Sequence, residues 1–200
     1  GSFAPVAVFL EIFNQKGISV TMEEARRPMG MLKKDHIREM CKMESIRAQW
    51  EAKYDRLPNE SDIEELYQDF EPLLFKNLSN YSKPLPGVVE AVEWLRSQGI
   101  KVGSTTGYTR AMVDVVAELA EKQGYKPDYL IASDEVPEGR PAPYMCYKNA
   151  VALECFPFSQ MVKVGDTISD IKEGVNAGMW SIGVLLGGSQ LGLTEEEVAT

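Results

Sequence analysis

From Pro5 to Asn80 the apolar residues recur at helical spacing. Val6, Phe9, Leu10 and Phe13 form one stripe that Gly17 ends, with Pro5 near its start, so the pattern predicts an amphipathic helix there. Thr21 with Glu24, and Ser61 with Glu64, have capping-box spacing, which predicts two more helix starts. From Pro84 the texture changes. Helical patterns over 88–98, ending at Gly99, and over 110–123, capped by Thr109 and closed by Gly124, alternate with short runs rich in β-formers at 100–104, 129–132, 161–164 and 180–185. Such alternation predicts an α/β fold with a parallel sheet covered by helices on both faces. Ligands would then bind beyond the C-terminal ends of the strands. The chain divides into a helical unit, 1–80, and an α/β unit, 81–200. Thr194 with Glu197 repeats the capping-box spacing so close to Thr200 that the chain is expected to continue.

Composition narrows the partners. With 44% hydrophobic residues, 200 residues suffice for a real core. The 21 basic and 30 acidic residues leave a net charge of -9 without a basic cluster, which argues against nucleic acid and anionic membranes. An anionic ligand must therefore be held by local charge. Cys41, Cys146 and Cys155 are odd in number and contain no CxxC, as suits a reducing cytosol. No run approaches the roughly 18 apolar residues of a membrane span, and no signal-peptide pattern opens the chain. A cytoplasmic location is the expectation.

Three loops carry candidate chemistry, each at the end of an expected strand. In Val162-Lys-Val-Gly-Asp166-Thr-Ile-Ser-Asp170, an apolar run stops at a glycine and two carboxylates follow four residues apart. Asp166 suits a hard cation such as Mg²⁺, although both acids also read as first-turn residues favoured by a helix dipole. In Ser104-Thr-Thr106-Gly-Tyr108, Thr106 offers a hydroxyl and Gly107 a closely approachable amide for a phosphate, or the segment is a simple turn. Arg140, between Gly139 and Pro141, is either a phosphoryl clamp or a solvated loop charge. The helical unit adds Lys33 and His36, three residues apart on one predicted helix face. A lysine desolvated near Met29 and Leu32 would lose its proton and attack a carbonyl, with the imidazole shuttling protons; by default the pair is a surface lysine and a half-buried histidine.

These loops resemble the second, third and fourth motifs of the haloacid dehalogenase superfamily. Together with Phe3-Ala-Pro5, Pro28-Met-Gly30, Lys33, His36, 103–110, 139–141, 145–149 and 163–166, they resemble the phosphonatase family, the phosphonoacetaldehyde hydrolases, over essentially the whole chain. The resemblance implies a Rossmann-like core with an α-helical cap, a homodimer formed through the cap, and Mg²⁺. It implies Lys33 as the imine-forming residue with His36 as its proton-transfer partner. Thr106, Gly107 and Arg140 would bind the phosphoryl group, and Met29, Gly30 and Tyr108 would line the substrate site. Asp166 would ligate the metal, with Asp170 supporting it. The implied reaction hydrolyses the carbon–phosphorus bond of a phosphonate aldehyde through a lysine Schiff base and an aspartyl-phosphate. The family's Asp-x-Ala-Gly-Thr segment, which carries the nucleophilic aspartate and the first core strand, is not in these 200 residues and is expected just upstream of Gly1; Ser2 stands where relatives carry cysteine. Two alternatives stay open. One is a plain superfamily phosphatase with a helical cap, in which Lys33 only attracts a phosphate ester. The other is a truncated, non-catalytic fragment that binds phosphonate or a partner.

Overall fold

The computed structural model describes residues 4–78, 82–188 and 195–198. Its first half is helical. α1 (Ala4–Gln15) turns Val6, Phe9, Ile12 and Phe13 inward, and the chain leaves it through Gly17, whose φ of +71° a side-chain-bearing residue rarely adopts. α2 (Met22–Arg26) starts at the expected capping box: the Thr21 hydroxyl accepts from Glu24 N, and the Glu24 carboxylate accepts from Thr21 N. α3 (Lys33–Cys41) and α4 (Glu44–Tyr54) follow, and α5 (Glu60–Leu78) packs along α1 and α3. Phe9, Trp50, Leu66, Phe70 and Leu74 form the centre of this helical core, and Met112 reaches it from the second half of the chain.

The second capping box is not where the spacing puts it. Asn59 caps α5 by accepting from Ser61 N and Asp62 N, while the Asp62 carboxylate accepts from Asn59 N. Ser61 therefore lies in the first turn. Glu64, one turn on, pairs with Lys34. Asn at the cap with Asp three residues later performs the same exchange of donors, with a shorter acid that also holds Arg56.

The second half alternates α6 (Val88–Ser97), β1 (Gly103–Thr106), α7 (Arg110–Glu121), β2 (Tyr129–Ala132), α8 (Tyr144–Ala152), β3 (Val162–Gly165), α9 (Ile168–Asn176) and β4 (Trp180–Gly183). A short α10 (Glu195–Val198) follows, and its expected cap, Thr194, lies outside the described residues, as do Ser2 and Phe3. β2 falls on the expected run, whereas β1 begins later than the 100–104 pattern suggested. The reason is local: Ile100 N closes the end of α6 on Leu95 O, Val102 is tied to Asp128, and parallel pairing starts only at Gly103 opposite Tyr129. β3 pairs with β4 in parallel register from Val162 opposite Trp180. Among the described residues the strands form these two parallel pairs, and β1 and β3 meet through side chains, with Lys163 Nζ donating to Thr105 Oγ1 at 2.6 Å. No helix among them is long and apolar enough to cross a membrane.

Candidate active site

The C-terminal ends of β1 and β3, the start of α3 and the 139–141 loop converge on a cavity of about 280 Å³. Its lining includes Met29, Gly30, Lys33, Thr106, Gly107, Tyr108, Arg140, Asp166 and Asp170, so most residues singled out in the sequence meet here. The turn Pro28–Leu32 carries Gly30 at φ +90° and sets Lys33 as the first residue of α3. Lys33 is 4% exposed, and its Nζ lies 5.2 Å from the centroid of the Tyr108 ring. Burial pushes its pKa down to about 8; the Arg140 charge acts in the same direction and Asp166 opposes both. Tyr108 is half-buried, and desolvation pushes its pKa up, so it stays a neutral phenol.

His36 lies apart from the other candidate residues. It sits three residues along α3 from Lys33, yet it does not line the cavity. The imidazole is fully buried in the helical core, stacked on Phe9 with centroids 3.9 Å apart, and Nε2 is 2.9 Å from Ala25 O. Burial, with the nearby Lys33 charge adding to it, holds its pKa well below the usual histidine value, so the ring is neutral. A residue three positions on shares a helix face only in part, and the aromatic core claimed the imidazole.

The helical loop and the β1 loop touch through glycine. A Cβ on Gly107 would come within 2.8 Å of Met31 O and 3.0 Å of Gly30 O, both backbone atoms that have no rotamer to yield. Gly107→Ala is therefore expected to push the Pro28–Leu32 turn off β1 and weaken substrate binding by about tenfold or more, as a displaced positioning element does. A Michaelis constant unchanged within twofold would show that this contact does not set the site.

The loop after β1 brings Thr106 and Gly107 to the cavity. Thr106 Oγ1 accepts from Tyr108 N at 3.1 Å, which leaves the hydroxyl proton uncommitted by that bond. Arg140 differs from a clamp with an open fork. Its Nε donates to Glu173 Oε2 (3.0 Å), Nη1 lies 3.0 Å from Asp170 Oδ1, and Nη2 donates to both Thr105 O (2.8 Å) and Thr105 Oγ1 (2.5 Å). Nη2 is fully engaged by the protein, and an N–H on Nη1 is left for a ligand.

Asp170 occupies the third position of α9 and closes a capping box with Thr167, so the plain reading of this acid as a first-turn residue holds. It also lies 3.0 Å from Arg140 Nη1 and 3.2 Å from Lys163 Nζ. Burial opposes its charge, but Arg140, Lys163 and the Thr167 hydroxyl outweigh burial and hold its carboxyl below the usual range. Asp166 follows β3 directly and lines the cavity. Among the described residues no group of three or more His, Cys, Asp or Glu side chains could hold a metal. Mg²⁺ needs no such cage, since it keeps waters and binds through one or two carboxylates together with substrate phosphate oxygens. A cavity carboxylate such as Asp166 fits that ion.

Sequence reasoning missed the partners behind Arg140. Lys163 and Glu173 are 8% and 0% exposed, and their Nζ and Oε2 are 2.7 Å apart. With Arg140 and Asp170 they form a buried cluster of two cations and two carboxylates. One signal was available: a lysine inside the apolar run Val162-Lys163-Val164, and an acid three residues past Asp170 on the same helix.

The haloacid dehalogenase-like hydrolase family model matches residues 4–178. The chain is 59% identical over 198 residues to a phosphonoacetaldehyde hydrolase of Bacillus cytotoxicus, covering 99% of this chain and 75% of that one. It is 61% identical to part of a bifunctional phosphonoacetaldehyde hydrolase/aminoethylphosphonate transaminase of Clostridioides difficile, covering 99% of this chain and 31% of that protein. Among solved structures, a phosphonoacetaldehyde hydrolase-like protein from Oleispira antarctica superposes with a TM-score of 0.92 at 40% identity, over 98% of this chain and 71% of the other.

Proposed function

Since this chain belongs to the haloacid dehalogenase-like hydrolases and, within them, to the phosphonoacetaldehyde hydrolase family, we propose that it cleaves the carbon–phosphorus bond of phosphonoacetaldehyde to acetaldehyde and phosphate. The observation that carries this reading is Lys33: a buried amine with its pKa pushed down to about 8, inside the same cavity as Thr106, Arg140 and Asp166. A phosphatase has no use for a deprotonated lysine, whereas a carbon–phosphorus bond breaks heterolytically only if the carbanion left behind is stabilised.

Neutral Lys33 Nζ adds to the aldehyde carbon, the resulting carbinolamine takes up one proton from solvent, and water leaves, giving a protonated imine. The carbon–phosphorus bonding pair then moves into that imine, so the carbon fragment departs as an enamine. The phosphoryl group passes to the aspartate that the family carries in its Asp-x-Ala-Gly-Thr segment. Thr106 Oγ1, the Gly107 amide and the uncommitted Nη1 N–H of Arg140 hold the phosphoryl oxygens. Asp166 would hold Mg²⁺, which supplies charge stabilisation to the phosphoryl group when bound. Water then hydrolyses the aspartyl-phosphate to release phosphate, and protonation of the enamine followed by hydrolysis of the imine releases acetaldehyde and frees Lys33. We assign no step to His36, which is packed on Phe9 and does not line the cavity. We place residues 1–80 as cap and 81–200 as core, and assign a homodimer joined through the cap.

Borohydride reduction in the presence of phosphonoacetaldehyde tests the proposal on this chain. The reactive form is the neutral amine. At pH 7 an amine of pKa about 8 is neutral in about one molecule in ten, against about one in three thousand at the ordinary value of 10.5. The initial rate of labelling at Lys33 should rise about tenfold per pH unit below pH 8 and level off above it. A label on Lys34, or a profile still rising at pH 10, would remove the Schiff-base assignment.

A further inference from the structure

The buried cluster behind the cavity is more elaborate than charge neutrality requires. Glu173 has no exposed surface, and one of its oxygens, Oε2, receives Arg140 Nε at 3.0 Å, Lys163 Nζ at 2.7 Å and the Thr105 hydroxyl at 3.2 Å. Its other oxygen, Oε1, is buried with no hydrogen-bond partner among the described residues. Three donors thus crowd one oxygen while its twin is idle. The chain tolerates an unpartnered carboxylate oxygen, normally a destabilising arrangement, at a point one residue removed from the cavity. Of the residues in this cluster, Glu173 and Lys163 are absent from the cavity wall, whereas Arg140, Thr105 and Asp170 form part of it.

We infer that Glu173 is a positioning residue for Arg140: its Oε2 fixes the guanidinium plane through Nε, and so directs the Nη1 edge, shared with Asp170, toward a phosphoryl group. Lys163 assists from behind by sharing Oε2 and by fixing Thr105, the residue that occupies both N–H bonds of Nη2. Without the Nε anchor, a guanidinium on three flexible methylenes has several rotamers open to it, and the single ligand-facing N–H loses its direction. The inference rests on the reading of Arg140 as a phosphoryl-binding group.

The test is a double-mutant cycle read by calorimetric titration of inorganic phosphate with Mg²⁺ present. Glu173→Gln keeps the volume and removes the charge; it is expected to weaken phosphate binding about tenfold in the parent chain and less than twofold when Arg140→Lys is already present, because positioning acts only through the guanidinium. Borohydride labelling of Lys33 should persist in Glu173→Gln. If that variant does not fold, Lys163→Met/Glu173→Gln, which removes one charge of each sign, provides the same comparison. Equal weakening in both Arg140 backgrounds, or phosphate binding within twofold of the parent, would overturn the inference. A parent chain that labels at Lys33 but binds no phosphate would overturn it as well while leaving the carbon chemistry standing; loss of labelling in the parent would instead sink the proposed function.

Discussion

Lys33→Arg is expected to lower acetaldehyde release from phosphonoacetaldehyde by about three orders of magnitude or more, measured in a chain that carries the family's Asp-x-Ala-Gly-Thr strand. Arginine keeps a cation in the cavity but stays protonated in proteins and forms no imine, so the carbanion has no electron sink. The size of the loss discriminates between mechanisms. A lysine acting only as a charge would tolerate arginine with a loss of about tenfold, or about 1.4 kcal/mol in the barrier. Lys33 is only 4% exposed, so circular dichroism must accompany the assay to show that the larger side chain has not opened the helical core. Near-normal acetaldehyde production by a folded Lys33→Arg protein would end the Schiff-base mechanism.

Asp166→Ala should abolish Mg²⁺-dependent turnover, by about a thousandfold, because the side chain lines the cavity directly after β3. The variant has a second signature that needs no turnover. The Asp166 charge raises the pKa of Lys33, against the downward push of burial and Arg140. Removing it should therefore move the midpoint of borohydride labelling at Lys33 to a pH below that of the parent. A midpoint that rises, or full activity in the variant, would separate Asp166 from the site.

Several features could be read directly from residue order. The Val6–Phe13 stripe, the Thr21–Glu24 capping box, β2 and the placement of Thr106 and Asp166 at the ends of parallel strands all follow from local spacing, which depends on neighbours within about one helical turn. Ser61 misled because Asn59 stood two residues upstream with a better-placed acceptor, and two capping boxes of equal spacing differ only in which one the preceding turn delivers. The late start of β1 had the same origin: Ile100 and Val102 are strand-like residues held by the end of α6 and by Asp128.

The chain order by itself determined which chemical groups are present and roughly where each leaves its helix or strand. It therefore identified the family and singled out Lys33, Thr106 and Gly107, which meet in the cavity. Tertiary structure alone decided which way those groups face. Lys33 and His36 are neighbours on α3, but packing against Phe9 took the imidazole into the core and left the amine, desolvated and under the influence of Arg140, in the cavity. Arg140 reads as a clamp with an open fork until Glu173, 33 residues away, is seen to hold its Nε. Direction and desolvation depend on what other segments bring to the same point in space, and no local pattern encodes that.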